Sequence, residues 1–249
     1  MPHPRIASVV AVEPHPDDVE ILCLGTLLKL KQEGTRLTIV CVTNGDKGSG
    51  NQPDLPYPEV AAMRFREASS VAAALGAEFI NLGAEDEYLY DTPELRNALA
   101  AVFRRAKADV VLAPSPHCYQ TDHTIASEIA FQAAHLSALP QLRITPPALP
   151  APPALPSAPA MYYYDTLPGL DFEPSFYVDI SGQMARKQEL ARMHTSQMAS
   201  MKSQSDWDLV EAIEVLGRMR GLQSGTRYAE AFRLCARYPR LKAWTQFPA

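Results

Sequence analysis

The chain has 249 residues, 47% of them apolar and 20% charged, with a net charge of −5. That balance belongs to a folded globular protein with a sizeable core and excludes a disordered chain. It also gives no basic footprint for nucleic acid, and no apolar run approaches the ~20 residues that span a bilayer. Cys23, Cys41, Cys118 and Cys235 never form a C-x-x-C pair, so neither a disulfide scaffold nor a structural thiolate zinc site is indicated. The sequence reads as a cytoplasmic protein, with neither nucleic acid nor membrane among its partners.

In chain order, Ile6–Glu13 is a continuous apolar, β-branched run that predicts a buried strand, and Ile21–Gln32 has helical spacing. Arg36–Thr43 (RLTIVCVT) predicts a second strand, Glu59–Leu75 an alanine-rich helix, Glu78–Leu82 a short strand, Pro93–Lys107 a helix, and Asp109–Pro114 (DVVLAP) another strand. A helix is expected from about His123 to Ala138. Pro140–Pro159 is proline-rich and predicts an exposed, semi-rigid extended loop. Beyond it, Ala160–Tyr164 and Ser175–Ile180 predict strands, and Gly182–Met198 and Ser205–Met219 helices. Strands alternate with helices and read as apolar runs. This pattern predicts an α/β fold: a Rossmann-like, mostly parallel sheet with helices on both faces and a C-terminal strand and helix extension, all in one domain over 1–249.

Such sheets bind ligands at the carboxyl ends of their strands. There the first strand is followed by EPHPDDVE, with His15, Asp17 and Asp18, and the strand DVVLAP by SPHCYQTDH, with His117, Asp122 and His123. Asp17-x-x-Glu20 also fits a helix capping box, which accounts for one aspartate and leaves the second and the histidine unexplained. Two His/Asp clusters at equivalent places can converge. Zinc in a catalytic site takes three nitrogen or carboxylate ligands and leaves a position open, a set that His15, Asp18 and His123 can supply. Asp17 would then stand beside the metal as a general base.

These residues resemble the LmbE-like/PIG-L family of zinc-dependent de-N-acetylases. The resemblance rests on Pro14–Glu20 (PHPDDVE), on the pair Asp122–His123, and on YVDISGQMARKQELARMHTSQ from Tyr177 to Gln197. It implies a Rossmann-like fold, a metal on His15, Asp18 and His123, Asp17 as the base, and removal of an N-acetyl group from a small-molecule amino sugar. Two imidazoles and a carboxylate also suit iron or another divalent ion. The family often has a histidine where this chain has Gln120. A glutamine amide can donate to an oxyanion, and losing such a donor costs roughly 10²–10³ in rate, but it cannot shuttle a proton. His117 and His194 are candidates to replace that function.

Arg64 and Glu67 match an R-x-x-E of the family and offer a substrate contact through Arg64; the competing reading is an i,i+3 ion pair on a helix surface. Asn44–Pro58 and the acidic Gly83–Thr92 follow strands and are expected on the rim of the site. Two other functions fit the same residues: a metal-dependent hydratase or lyase, and a non-catalytic metal- or sugar-binding protein. The resemblance makes a homo-oligomer plausible, with the proline-rich segment as a contact between subunits.

Overall fold

The computed structural model describes residues 6–49, 51–144 and 152–237. Its centre is β1 (Ser8–Glu13), buried along its whole length. The run SVVAVE has no polar face to offer solvent, so it is stable only as an inner strand covered on both sides. β1 is followed by α1 (Asp18–Leu22), α2 (Leu24–Gln32), β2 (Arg36–Thr43), α3 (Tyr57–Leu75), β3 (Glu78–Ala84), α4 (Pro93–Ala106), β4 (Val110–Ala113) and α5 (Thr121–Leu136). β5 (Ala160–Tyr164), β6 (Phe176–Asp179), α6 (Met184–Ala191), α7 (Thr195–Ser205), α8 (Leu209–Ser224) and β7 (Ala229–Leu234) complete the described chain. The strands form one sheet in the order β3-β2-β1-β4-β5-β7-β6. β1 to β5 are parallel, and β7 runs antiparallel between β5 and β6.

The alternation of side chains divides the core into two layers. Val9 and Ala11 of β1 pack with Leu22, Leu24 and Leu27 on one face, together with Leu190, Ile213 and Leu216 of the C-terminal helices. Val10 and Val12 point the other way, into Leu99 and Phe103 of α4 and Ile129 and Ala133 of α5. Burial on this scale contributes roughly 1.5–3 kcal/mol per large aliphatic side chain.

Several expected elements differ. The first helix is two, α1 and α2, meeting at Cys23. The capping box is absent: Asp17 occupies the cap position but makes no side-chain cap hydrogen bond, because its carboxylate turns toward Arg64. The helix expected over Gly182–Met198 breaks at His194 into α6 and α7. β7 escaped sequence reading altogether. Its sequence AEAFRL carries a buried carboxylate, Glu230, which accepts from the backbone N–H groups of Gly25 (2.8 Å) and Thr26 (2.7 Å) in the first turn of α2 and from Lys187 Nζ (2.6 Å). A charged residue in a strand is stable there because it is fully paired.

The flanks of the proline-rich segment are held more firmly than an exposed arm would be. Ile144 and Leu155 are buried in the α4/α5 core. Arg104, itself buried, donates to the carbonyls of Leu136, Ser137, Leu139, Leu142 and Pro152, so one guanidinium caps the end of α5 and joins both ends of the segment. Residues 145–151, the centre of the expected arm, lie outside the described residues. Among the described residues no helix is long and apolar enough to cross a membrane.

Candidate active site

The chain winds outward from β1 through β2 to β3, then returns to place β4 on the other side of β1. The carboxyl ends of β1 and β4 therefore flank the point where the strand order reverses, the crevice in which open α/β sheets bind ligands. His15 leaves β1 two residues after its last strand position, in a turn closed by the Asp17 N–H donating to the His15 carbonyl at 2.9 Å. His123 lies in the first turn of α5, which follows β4.

Asp18 joins the two. Its Oδ2 is 3.3 Å from His15 Nδ1 and its Oδ1 is 3.4 Å from His123 Nε2, and all three residues are buried. One ligand atom from each of His15, Asp18 and His123 lies within 4.8 Å of the others, a group able to hold a metal ion. The far side of each ring is occupied as well. His15 Nε2 faces Asp86 Oδ1 at 3.0 Å and Asp122 Oδ2 at 3.4 Å, and His123 Nδ1 faces Cys118 Sγ at 3.4 Å. Partners on the outer nitrogens fix ring orientation and leave His15 Nδ1 and His123 Nε2 for a metal. The donor set thus fits a divalent ion of the zinc or iron type.

Asp17 stands outside this group. It is buried, and its Oδ1 pairs with Arg64 Nη2 at 3.2 Å. Burial pushes its carboxyl above the ordinary carboxylate range; Arg64 opposes the rise and Asp18 adds to it. Asp18 is shifted the other way, to about 2, because His123 and His15 more than offset its burial. The two adjacent carboxyls are thereby shifted in opposite directions, Asp18 toward its anion and Asp17 toward its protonated form.

Arg64 is 3% exposed and also donates to the carbonyls of Gly45 and Pro16. The glycine-rich loop lies directly on its guanidinium: a Cβ on Gly48 would come within 2.3 Å of Nη1. The Arg64–Glu67 surface pair does not form. Glu67 instead accepts from the Thr195 hydroxyl and from the Ser196 N–H and hydroxyl, capping α7.

His194 is fully buried behind Asp17, 3.6 Å from Glu20 Oε1, with both ring nitrogens lacking a hydrogen-bond partner. Glu13 Oε1 and Glu20 Oε2 are likewise buried without partners. Gln120 is half-buried at the rim and donates to Glu87 Oε1 at 3.2 Å, while His117 is exposed on the same loop. Two residues of the site were not singled out from sequence. Asp86 sat unmarked in an acidic loop, its only signal being a place at the carboxyl end of a parallel strand; Cys118 carried none.

The family described as PIG-L, GlcNAc-PI de-N-acetylase, matches residues 10–134, which span both clusters. A diacetylchitobiose deacetylase of Thermococcus kodakarensis is 30% identical over 237 residues, 93% of this chain and 84% of that one.

The chain belongs to the PIG-L family.

Its fold agrees: the N,N′-diacetylchitobiose deacetylase of Pyrococcus horikoshii superposes with a TM-score of 0.77 at 28% identity, covering 92% of this chain and 84% of the other. A 4-carboxy-2-hydroxymuconate hydratase, GalB of Pseudomonas putida, has a TM-score of 0.79 at 20% identity, covering 97% of this chain and all of its own. That likeness is one of fold alone. A fold by itself does not fix a reaction, and the side chains at the crevice must.

Proposed function

We propose that this PIG-L protein is a metal-dependent hydrolase that removes the N-acetyl group from an amino sugar or its conjugate. The observation that carries the reading is the geometry of Asp17: a buried carboxylate beside the His15, Asp18 and His123 group yet committed to Arg64. Zinc is the ion we assign, with iron the alternative that this donor set admits. A divalent ion held there would lower the pKa of a water to roughly 7 and polarise the acetyl carbonyl.

Asp17 accepts the proton of the attacking water as its oxygen bonds to the acetyl carbon. The C–N bond then breaks, acetate keeps the water oxygen, and the same proton passes from Asp17 to the departing amine. A carboxyl raised above its ordinary range serves both steps better than an unperturbed one, since its affinity for the proton lies nearer that of its exchange partners. This return of the proton supplies what a glutamine at position 120 cannot. Gln120 has the remaining role of an amide donor at the rim. His194, enclosed behind Asp17, acts through the charge of the base and not by touching substrate. Arg64 serves as the ion-pair partner of Asp17; direct contact with a substrate would require its guanidinium to leave Gly45 and Pro16.

The test pairs elemental analysis with acetate release from N-acetylglucosamine and its glycosides, for the wild type and Asp17→Asn. One bound metal in both proteins, with acetate produced only by the wild type, is the expected result. A metal-loaded wild type that releases no acetate from any N-acetylated sugar would overturn the proposal in favour of hydratase-type chemistry.

A further inference from the structure

The passage HTSQ at the start of α7 carries a side chain that the chemistry above leaves without a task. Thr195 and Ser196 have a plain one: both hydroxyls and the Ser196 N–H donate to Glu67 of α3, at 2.6, 2.6 and 2.9 Å, and so dock α7 on α3. Gln197 takes no part in that docking. It is 8% exposed, and its Nε2 crosses to the glycine-rich loop after β2, donating to the Gly48 carbonyl at 2.8 Å and to Ser196 Oγ at 3.2 Å.

The loop it reaches has little else to hold it there. Gly45 stands at φ +61°, and Gly48 N–H closes a turn on the Gly45 carbonyl at 3.2 Å. On one side the Gly45 N–H donates to Thr43 Oγ1 at 3.3 Å and the Lys47 N–H to Asp86 Oδ2 at 3.1 Å. Gln197 secures the other. Glycine has more backbone freedom to lose than any other residue, so a segment of this composition depends on such tethers to keep one conformation.

The loop in turn seats Arg64. A Cβ on Gly45 would come within 2.7 Å of Arg64 Nη1, and one on Gly48 within 2.3 Å, so the guanidinium fills the space that both glycines leave. Its own polar contacts are long, at 3.2 Å to Asp17 Oδ1 and to the Gly45 carbonyl and 3.4 Å to the Pro16 carbonyl, and its Nε has no hydrogen-bond partner. N–H···O bonds are commonest at about 2.9 Å. Packing against the two glycines therefore does more than these bonds to set where the guanidinium lies.

We infer that Gln197 is a positioning residue: its amide holds Gly48, the glycine-rich loop holds the Arg64 guanidinium, and the counter-ion of Asp17 is thereby set from the C-terminal extension. The inference rests on the reading of Asp17 as the base and adds a residue that touches neither the base nor the metal-binding group. Because Glu67 docks α7 without Gln197, this role is separable from the fold of the helix.

The test measures kcat and KM for acetate release from N-acetylglucosamine and its glycosides, using metal-loaded wild type, Gln197→Met, Arg64→Gln and the double variant. Methionine fills the space but cannot donate. In Gln197→Met, kcat/KM should fall roughly 5- to 10-fold, through kcat, with KM and metal content unchanged. In the Arg64→Gln background the same substitution should cost less than about 2-fold, because the tether acts through the arginine. A loss of equal size in both backgrounds, or no loss in either, would overturn the inference; Gln197→Ala is read in the same way where methionine is not accommodated. Amide hydrogen exchange on the same proteins needs no turnover: exchange within 44–49 should quicken at least about 5-fold in Gln197→Met, while 198–203 of α7 keeps its wild-type rate. Faster loop exchange in a wild-type protein background that releases no acetate upholds the tether and removes the deacetylase reading, whereas acetate release with unchanged loop exchange removes the tether and leaves that reading intact.

Discussion

Arg64 Nη2 lies 3.2 Å from Asp17 Oδ1, and both side chains are buried, so the residue assigned as the base carries its own counter-ion. The pairing counters the burial and the neighbouring Asp18 that raise the Asp17 carboxyl. Without the guanidinium that opposition disappears.

The first prediction follows from its sign. In the proposed mechanism catalysis needs the Asp17 carboxylate, which is present above its pKa. Arg64→Gln removes a cation that favours the charged form, so the acid limb of the kcat/KM profile should move to higher pH and activity near pH 7 should fall. Arg64→Lys should shift it less. A profile with the wild-type acid limb in Arg64→Gln would mean that Asp17 is not the group being titrated.

Asp122 accepts from the Glu87 and Leu89 N–H groups and faces His15 Nε2, which makes it both an orienter of a candidate metal ligand and an anchor of the loop after β3. Asp122→Asn keeps an acceptor but loses the charge. Metal affinity, measured by competition with a chromophoric chelator, should fall about 10- to 100-fold.

Cys118 Sγ is the partner of His123 Nδ1, and burial raises its thiol above the ordinary range, so it serves as a neutral group. Cys118→Ser should preserve metal affinity within about 3-fold, whereas Cys118→Ala should lower it, by less than the loss in Asp122→Asn because sulfur is the weaker hydrogen-bonding partner. Equal affinity in both variants would remove Cys118 from the site.

Glu13 is fully buried, and desolvation, then Glu20 and Asp18, hold its carboxyl well above the ordinary range. The folded state thus binds this proton more tightly than the unfolded state, and the stability it lends at low pH is lost as pH rises from the ordinary carboxylate range toward the raised value. Glu13→Gln keeps an acceptor for the Val19 N–H, which Glu13 Oε2 receives at 3.2 Å. In the metal-stripped protein this variant should be more stable than the wild type at pH 8, by about 1 kcal/mol or more, with the gap closing toward pH 4. Thermal melts across that range provide the check.

Arg104 satisfies five backbone carbonyls at the end of α5 and around the proline-rich segment. Arg104→Met fills the space but leaves those acceptors unpaired. Equilibrium denaturation should register a loss of about 3 kcal/mol, with the metal-binding residues unaffected because they lie at the opposite ends of the strands.

Much of this was legible in the chain itself. The unbroken apolar runs at Val9–Val12 and Ile39–Val42 can be stable only between two helical layers, and the PHPDD and TDH clusters lie in the segments that follow such runs. The alternation of strands and helices then makes the strands parallel, so both clusters emerge at one end of the sheet. The parts that were not legible depend on distant neighbours. β7 contains a glutamate and an arginine among its six residues, and Glu230 is stable in it only because α2 and Lys187, about 205 and 43 positions away, supply its partners. The helix break at His194 and the turning of Asp17 away from its cap have the same origin.

The sequence by itself determined the candidate metal-ligand set, because its members come in short motifs set by two prolines and a helix start at the ends of apolar strands. Only the tertiary structure decided what surrounds them: that Arg64 pairs with Asp17, that Asp86 stands behind His15, and that Cys118 stands behind His123. Those are contacts between segments tens of residues apart, set by how strands order within the sheet, and no local spacing encodes them.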